Sequence, residues 1–231
     1  MGEMTVRRFS SQSELDSNLA RDLAREYDPG TRNNILLLLS GGSVIPSVVE
    51  STSKGCEACL SMQHIGLADE RFVDQKSADS ILESYRRAGL DLQKDMYSHV
   101  EPVFETSDQL EKVTREYEDW LIESMGVVDR SVGIFGIGVD GHTAGIKPMS
   151  DANTFTELFL AGSLVASYEA DDYQRLTVTG RMIEQLDKAY LYAGTGKANI
   201  LKEFIETDTP APQMPAQLLK RAKQLMVYTL E

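Results

Sequence analysis

Five consecutive apolar residues, Ile35-Leu36-Leu37-Leu38-Leu39, run directly into Ser40-Gly41-Gly42-Ser43. A run this short and this uniformly apolar has no polar face for water. It predicts a strand buried on both sides, as in a parallel sheet covered by helices. The glycine-rich stretch is its exit loop, and Pro46 suits the first turn of a helix after it. The same alternation continues along the chain. Residues 11–27 place Leu15, Leu19, Leu23 and Ala24 at helical spacing, with Ser11 or Ser13 as cap. Ile65-Gly66-Leu67-Ala68 predicts a second strand that ends at Asp69-Glu70-Arg71. Helices are expected over 77–89, 107–125 and 197–206. Further strands are expected over 131–137, 176–179, 189–193 and 225–230, with a short helix after Pro210-Ala211-Pro212. The chain shows no internal repeat or linker, so residues 1–231 are expected to form one domain. The pattern predicts an α/β fold with a predominantly parallel sheet.

In such sheets ligands bind beyond the carboxyl ends of the strands. That rule brings three exit loops together: 40–43, 69–71 and 138–142. The third carries the densest chemistry, Gly136-Ile137-Gly138-Val139-Asp140-Gly141-His142-Thr143-Ala144. Glycines allow tight turns and close approach to a ligand. Histidine suits proton transfer near neutrality, and a carboxylate two residues away could orient the imidazole. The stretch also satisfies the GxGxxG dinucleotide pattern. Asp140 would, however, place a negative charge where a pyrophosphate should sit, and no strand with a ribose-binding acid follows about 20 residues on.

The 40–43 loop could cradle a phosphate with backbone N–H groups and hydroxyls, or simply turn the chain from strand to helix. It lacks the lysine of a nucleotide-hydrolysing loop. Arg71 is a candidate ligand for phosphate or carboxylate, because a guanidinium binds such anions bidentately. Arg175 and Lys197 are similar candidates, although each taken alone reads more readily as a solvated charge. His64 and His99 have no supporting neighbours and are expected to be structural or surface residues.

Lys+Arg 23 against Asp+Glu 36 gives a net charge of −13, which disfavours a nucleic-acid partner. An anionic substrate would therefore need a local cluster of cations. No apolar run is long enough to cross a membrane and no signal-peptide core opens the chain, so a cytoplasmic protein is expected. Cys56 and Cys59 form a CxxC without enough nearby ligands for a structural zinc, and are expected to be two ordinary thiols.

Taken in order, Ser40-Gly41-Gly42-Ser43, Asp69-Glu70-Arg71-Phe72-Val73, the 136–144 stretch, Arg175-Leu176-Thr177-Val178-Thr179 and Gly196-Lys197-Ala198 resemble the 6-phosphogluconolactonases. These are grouped with the glucosamine-6-phosphate isomerase/deaminases. The resemblance spans nearly the whole chain, and Asp-Gly-His-Thr-Ala is its most specific part. It implies a Rossmann-like three-layer αβα sandwich. The implied reaction is hydrolysis of 6-phosphoglucono-δ-lactone in the oxidative pentose phosphate pathway, without metal or other cofactor. His142 would be the general base and Asp140 its orienting partner. Gly41, Gly42, Ser43, Asp69, Arg71, Thr143, Arg175 and Lys197 would form the substrate-binding set. The partner implied is a small phosphosugar lactone.

The sibling deaminases carry a glutamate just before a proline in this loop, where the chain has Lys147-Pro148, and usually a tyrosine at the position of Arg71. Both differences favour the lactonases. The chain also departs from the lactonase pattern. Val44 replaces a threonine, Pro46 falls one residue late, Ile81 stands where an asparagine is usual, and Gly145-Ile146-Lys147-Pro148 replaces Ser-Leu-Phe-Pro. These changes keep two other readings open: a non-catalytic sugar-phosphate-binding module, and a related phosphosugar isomerase or deaminase.

Overall fold

The computed structural model describes residues 2–28, 34–54, 63–74, 76–90, 92, 98–99 and 110–231. Cys56 and Cys59 lie outside the described residues. The strands in chain order are β1 (Glu3–Phe9), β2 (Ile35–Leu39), β3 (His64–Leu67), β4 (Asp69–Arg71), β5 (Ser98–His99), β6 (Arg130–Gly136), β7 (Val165–Glu169), β8 (Gln174–Val178), β9 (Lys188–Ala193) and β10 (Gln224–Leu230). The helices are α1 (Gln12–Glu26), α2 (Ile45–Lys54), α3 (Ile81–Arg87), α4 (Leu110–Val127), α5 (Ala152–Phe159), α6 (Gly180–Gln185) and α7 (Ala198–Glu206).

Seven strands form one sheet in the order β1-β10-β9-β6-β2-β3-β5. Every pairing in it is parallel. The expected α/β architecture is therefore present, with β2 near its centre. All five residues of β2 are buried. Ile35, Leu37 and Leu39 join Leu15, Leu19 and Leu23 of α1, Val48 of α2 and Tyr85 of α3 on one face. Leu36 and Leu38 join Tyr117 and Leu121 of α4, Phe155 of α5 and Phe204 of α7 on the other. The period-two alternation of a strand splits one apolar run between two cores. Each such leucine contributes about 1.5–3 kcal/mol of burial free energy.

The chain leaves β2 toward β3 on one side and leaves β6 toward β9 on the other. These neighbouring strands thus form the switch point beyond which a ligand crevice opens.

Three expectations are corrected by local hydrogen bonding. Residues 69–71 are not only an exit loop. They form β4, which pairs antiparallel with β8 in a second, three-stranded sheet, β4-β8-β7. The strand expected over 176–179 therefore belongs to this small sheet. It ends at Val178 because the Thr179 hydroxyl caps α6, accepting from the N–H groups of Arg181 at 3.2 Å and Met182 at 3.4 Å. The helix expected over 77–89 is shorter. Ser80 caps it, accepting from the Glu83 N–H at 3.2 Å, and it ends near Gly89, whose φ is +97°.

Other boundaries moved little. Ser11, not Ser13, caps α1 by accepting from the Glu14 N–H at 3.2 Å. α7 starts one residue later than expected, with Lys197 at its cap position. The helix expected over 107–125 is described from Leu110 to Val127, residues 107–109 being outside the described set. His64 is half-buried, and its Nδ1 lies 3.0 Å from the Ser124 hydroxyl, consistent with a structural role. Among the described residues, no helix is long and apolar enough to cross a membrane.

Candidate active site

A cleft of about 310 Å³ opens beyond the carboxyl ends of β2 and β6. Eight of the expected site residues line it: Gly41, Gly42, Ser43, Asp69, Arg71, His142, Arg175 and Lys197. Ser40, Ile81, Lys147 and Asp172 also face it. Asp140 and Thr143 do not. Asp140 stands behind His142. Thr143 is fully buried, and its hydroxyl donates to the Gly136 carbonyl at 2.9 Å. That bond braces the 136–144 loop, and the Thr143 side chain does not line the cleft.

The 136–144 loop folds back on itself by short-range bonds. The Gly138 N–H donates to the His142 carbonyl at 2.8 Å, and the Gly141 N–H to the Gly138 carbonyl at 3.0 Å. Gly141 has φ +86°, in the left-handed region where glycine carries no steric cost. The His142 N–H donates to Asp140 Oδ1 at 3.1 Å, and the same oxygen lies 2.6 Å from the imidazole Nδ1. Burial works to raise the Asp140 carboxyl, but the two His142 contacts outweigh it and hold the group below its ordinary value. An ionised Asp140 fixes the Nδ1–H tautomer, which leaves Nε2 as the basic nitrogen.

The small sheet sets the opposite wall. Asp69 and Arg71 point to the same side of β4, and Arg71 is in register with Arg175 of β8. Arg175 is buried. Its Nη1 lies 3.7 Å from Asp69, and it holds Asp172 through Nε at 3.2 Å and Nη2 at 2.8 Å. Lys147 joins the cluster, with its ammonium 2.8 Å from Asp171 and 2.9 Å from Asp172. Arg71 stacks over Tyr173 at 5.5 Å and donates to the Asp79 carbonyl at 2.8 Å. Neither Arg71 nor Lys197 has a carboxylate within ion-pair distance among the described residues. Among the described residues, two buried polar atoms on this wall and floor, Arg71 Nε and Ser40 Oγ, have no hydrogen-bond partner. Buried orphans of this kind are uncommon, and they mark a place where a ligand would complete the bonding. Four cations thus surround the cleft of a chain whose net charge is −13.

Glu70 is a structural residue that the sequence alone does not single out. Its buried carboxylate accepts from Arg71 N–H at 2.8 Å, Ile81 N–H at 2.8 Å, Leu82 N–H at 2.9 Å and Ser80 Oγ at 3.1 Å. It ties α3 to β4 and so fixes the wall that bears Arg71. Ile81 presses its side chain onto Gly41, where an added Cβ would lie 2.7 Å from Cγ1. Asp172 is likewise absent from the expected set. Its one sequence signal is an acidic pair placed three residues before Arg175.

Burial is the main cause that pushes the Asp69 carboxyl up to about 7; Arg175 opposes the rise, Glu70 adds to it and Arg71 opposes it. The folded state then keeps a proton that the unfolded chain loses near pH 4. The stability this group contributes is complete below about pH 4 and disappears as pH rises toward about 7. Asp69→Asn cannot ionise. Relative to wild type, the variant is expected to gain stability as pH rises across that window, read from urea unfolding. A difference that stays constant with pH would refute the assignment.

Residues 10–228 match the family model described as glucosamine-6-phosphate isomerases/6-phosphogluconolactonase. The chain belongs to this family. Among its relatives, the 6-phosphogluconolactonase of Synechocystis sp. is 25% identical over 196 residues, spanning 82% of this chain and 79% of that protein. That of Haemophilus influenzae is 40% identical over 83 residues, or 36% of this chain and 33% of that one. The fold is shared with the crystal structure of 6-phosphogluconolactonase from Thermotoga maritima, at TM-score 0.76 and 20% identity over 100% of both chains. It is also shared with the 6-phosphogluconolactonase from Trypanosoma brucei, at TM-score 0.77 and 21% identity, covering 100% of this chain and 97% of that one. Among the described residues, no three His, Cys, Asp or Glu side chains are grouped so as to hold a metal ion.

Proposed function

We propose that this protein is a 6-phosphogluconolactonase, hydrolysing 6-phosphoglucono-δ-lactone to 6-phosphogluconate in the oxidative pentose phosphate pathway. The observation that carries the reading is the Asp140-oriented His142 at the edge of a cleft ringed by Arg71, Lys147, Arg175 and Lys197. His142 Nε2 takes a proton from water as the water oxygen attacks the lactone carbonyl. The charge that develops on the carbonyl oxygen is stabilised by the cationic wall. When the tetrahedral intermediate collapses, the C–O bond to the ring oxygen breaks and that oxygen takes the proton back from the imidazolium. Asp140 stabilises the imidazolium between the two transfers. The phosphate anchors the lactone, so that remote binding energy positions the ester.

Water activated directly by His142 requires no metal. Lys147, held by two carboxylates, offers no acid where the sibling deaminases use one. The test is disappearance of freshly generated 6-phosphoglucono-δ-lactone above its spontaneous background, with and without a chelator. Acceleration insensitive to chelation supports the reading. A folded protein that binds 6-phosphogluconate but leaves the lactone at its background rate would overturn it in favour of a sugar-phosphate-binding module.

A further inference from the structure

The four cations of the cleft are not equivalent. Arg71 and Lys197 have no acid within ion-pair reach among the described residues. Arg175 and Lys147 share one, Asp172, whose carboxylate sits 2.8 Å from Arg175 Nη2 and 2.9 Å from Lys147 Nζ; each also has a carboxyl of its own, Asp69 at 3.7 Å from Arg175 and Asp171 at 2.8 Å from Lys147. The cations are the fixed partners. The Arg175 side chain is only 8% exposed and that of Lys147 19%. Lys147 is further pinned through its N–H, which donates to the Tyr168 hydroxyl at 3.3 Å, and that hydroxyl donates to the Gly145 carbonyl at 2.6 Å. Asp172 is the exposed partner, at 36%. It sits on the tight turn between β7 and β8, closed by the Ala170 N–H on the Tyr173 carbonyl at 2.9 Å. A buried guanidinium needs a counter-charge, and this turn supplies it from the solvent side.

From this geometry we infer that Asp172 is a specificity-determining residue: its carboxylate holds Arg175 and Lys147 until a more highly charged anion displaces it. The inference rests on the proposed function for the identity of that anion, a phosphorylated sugar. A dianionic phosphate offers both cations more charge and more acceptor oxygens than one carboxylate does, so it can win the exchange. A monoanionic sugar acid gains little by replacing one carboxylate with another. Asp172 would thus lower the affinity of the cleft for all anions and lower it most for unphosphorylated ones, a selectivity obtained by competition. Tyr173, under Arg71 on the same turn, would pass the displacement along this wall to Arg71.

The experiment measures binding of inorganic phosphate, 6-phosphogluconate and gluconate by calorimetry to wild type, Asp172→Asn and Asp172→Glu. Asp172→Asn is expected to bind phosphate about tenfold more tightly, the size of effect typical for close charge pairs. The preference for 6-phosphogluconate over gluconate should narrow in the same variant. Asp172→Glu, which restores the charge, should return both values toward wild type. Weaker or unchanged phosphate binding by an Asp172→Asn variant with wild-type unfolding temperature would overturn the inference and leave Asp172 as a positioning residue for Arg175. Lactone turnover is assayed separately. Tighter phosphate binding without turnover would sink the lactonase reading alone, and turnover without tighter binding would sink this inference alone.

Discussion

His142→Ala is expected to reduce lactone hydrolysis by about 10²–10⁴-fold, the usual worth of a positioned general base. The side chain is 39% exposed and, among the described residues, bonds Asp140 alone. Its loss should therefore change the unfolding free energy by no more than about 0.5 kcal/mol. Binding of 6-phosphogluconate should survive, because Arg71 and Arg175 are carried by β4 and β8 and Lys197 by the cap of α7. Asp140→Asn leaves the loop geometry nearly intact but cannot balance an imidazolium, so its loss should fall on kcat rather than KM. Near-wild-type turnover by folded His142→Ala would remove the proposed mechanism.

Gly138→Ala is expected to be almost as damaging, although alanine adds one methyl group. A Cβ at this position would lie 2.1 Å from His142 Nδ1, 2.3 Å from Cε1 and 2.4 Å from Asp140 Oδ1. No real Cβ tolerates such contacts, so the His142–Asp140 pair must move. A displacement of about 1 Å in a catalytic group can cost on the order of 10²-fold in rate. The expected signature is a fall in kcat with little change in the affinity for 6-phosphogluconate. A Gly138→Ala variant with kcat within about twofold of wild type would show that the pair does not work from the position seen here. This crowding also gives a physical reason for the GxGxxG pattern in this chain. The middle glycine makes room for the imidazole to fold back.

The extent to which the site is readable without coordinates follows from the range of the interactions involved. The Asp140–His142 pairing is legible because two residues of separation and flanking glycines leave few other arrangements. The meeting of the 40–43, 69–71 and 138–142 segments is legible because parallel sheets gather exit loops at one edge. The orientation of the Thr143 hydroxyl is not legible, since whether it faces the cleft or the loop depends on a bond to a carbonyl seven residues back. Glu70 and Asp172 were not legible at all. Between Asp69 and Arg71, Glu70 carries no signal of its own, and an acidic pair looks like solvated surface; only the packing of α3 on β4 and the turn after β7 bring them to their partners.

Composition and pattern alone therefore determined the parallel α/β layering, through a β2 with no polar face, and the pairing of Asp140 with His142, through a loop too short to hold them apart. Tertiary structure decided which charges are neutralised and which are open to a ligand. Asp69, Arg71, Lys147, Asp172 and Arg175 acquire their roles from antiparallel register and burial. Local spacing carries no information about either, because charge–charge energies depend on the distance and dielectric that only the folded chain supplies.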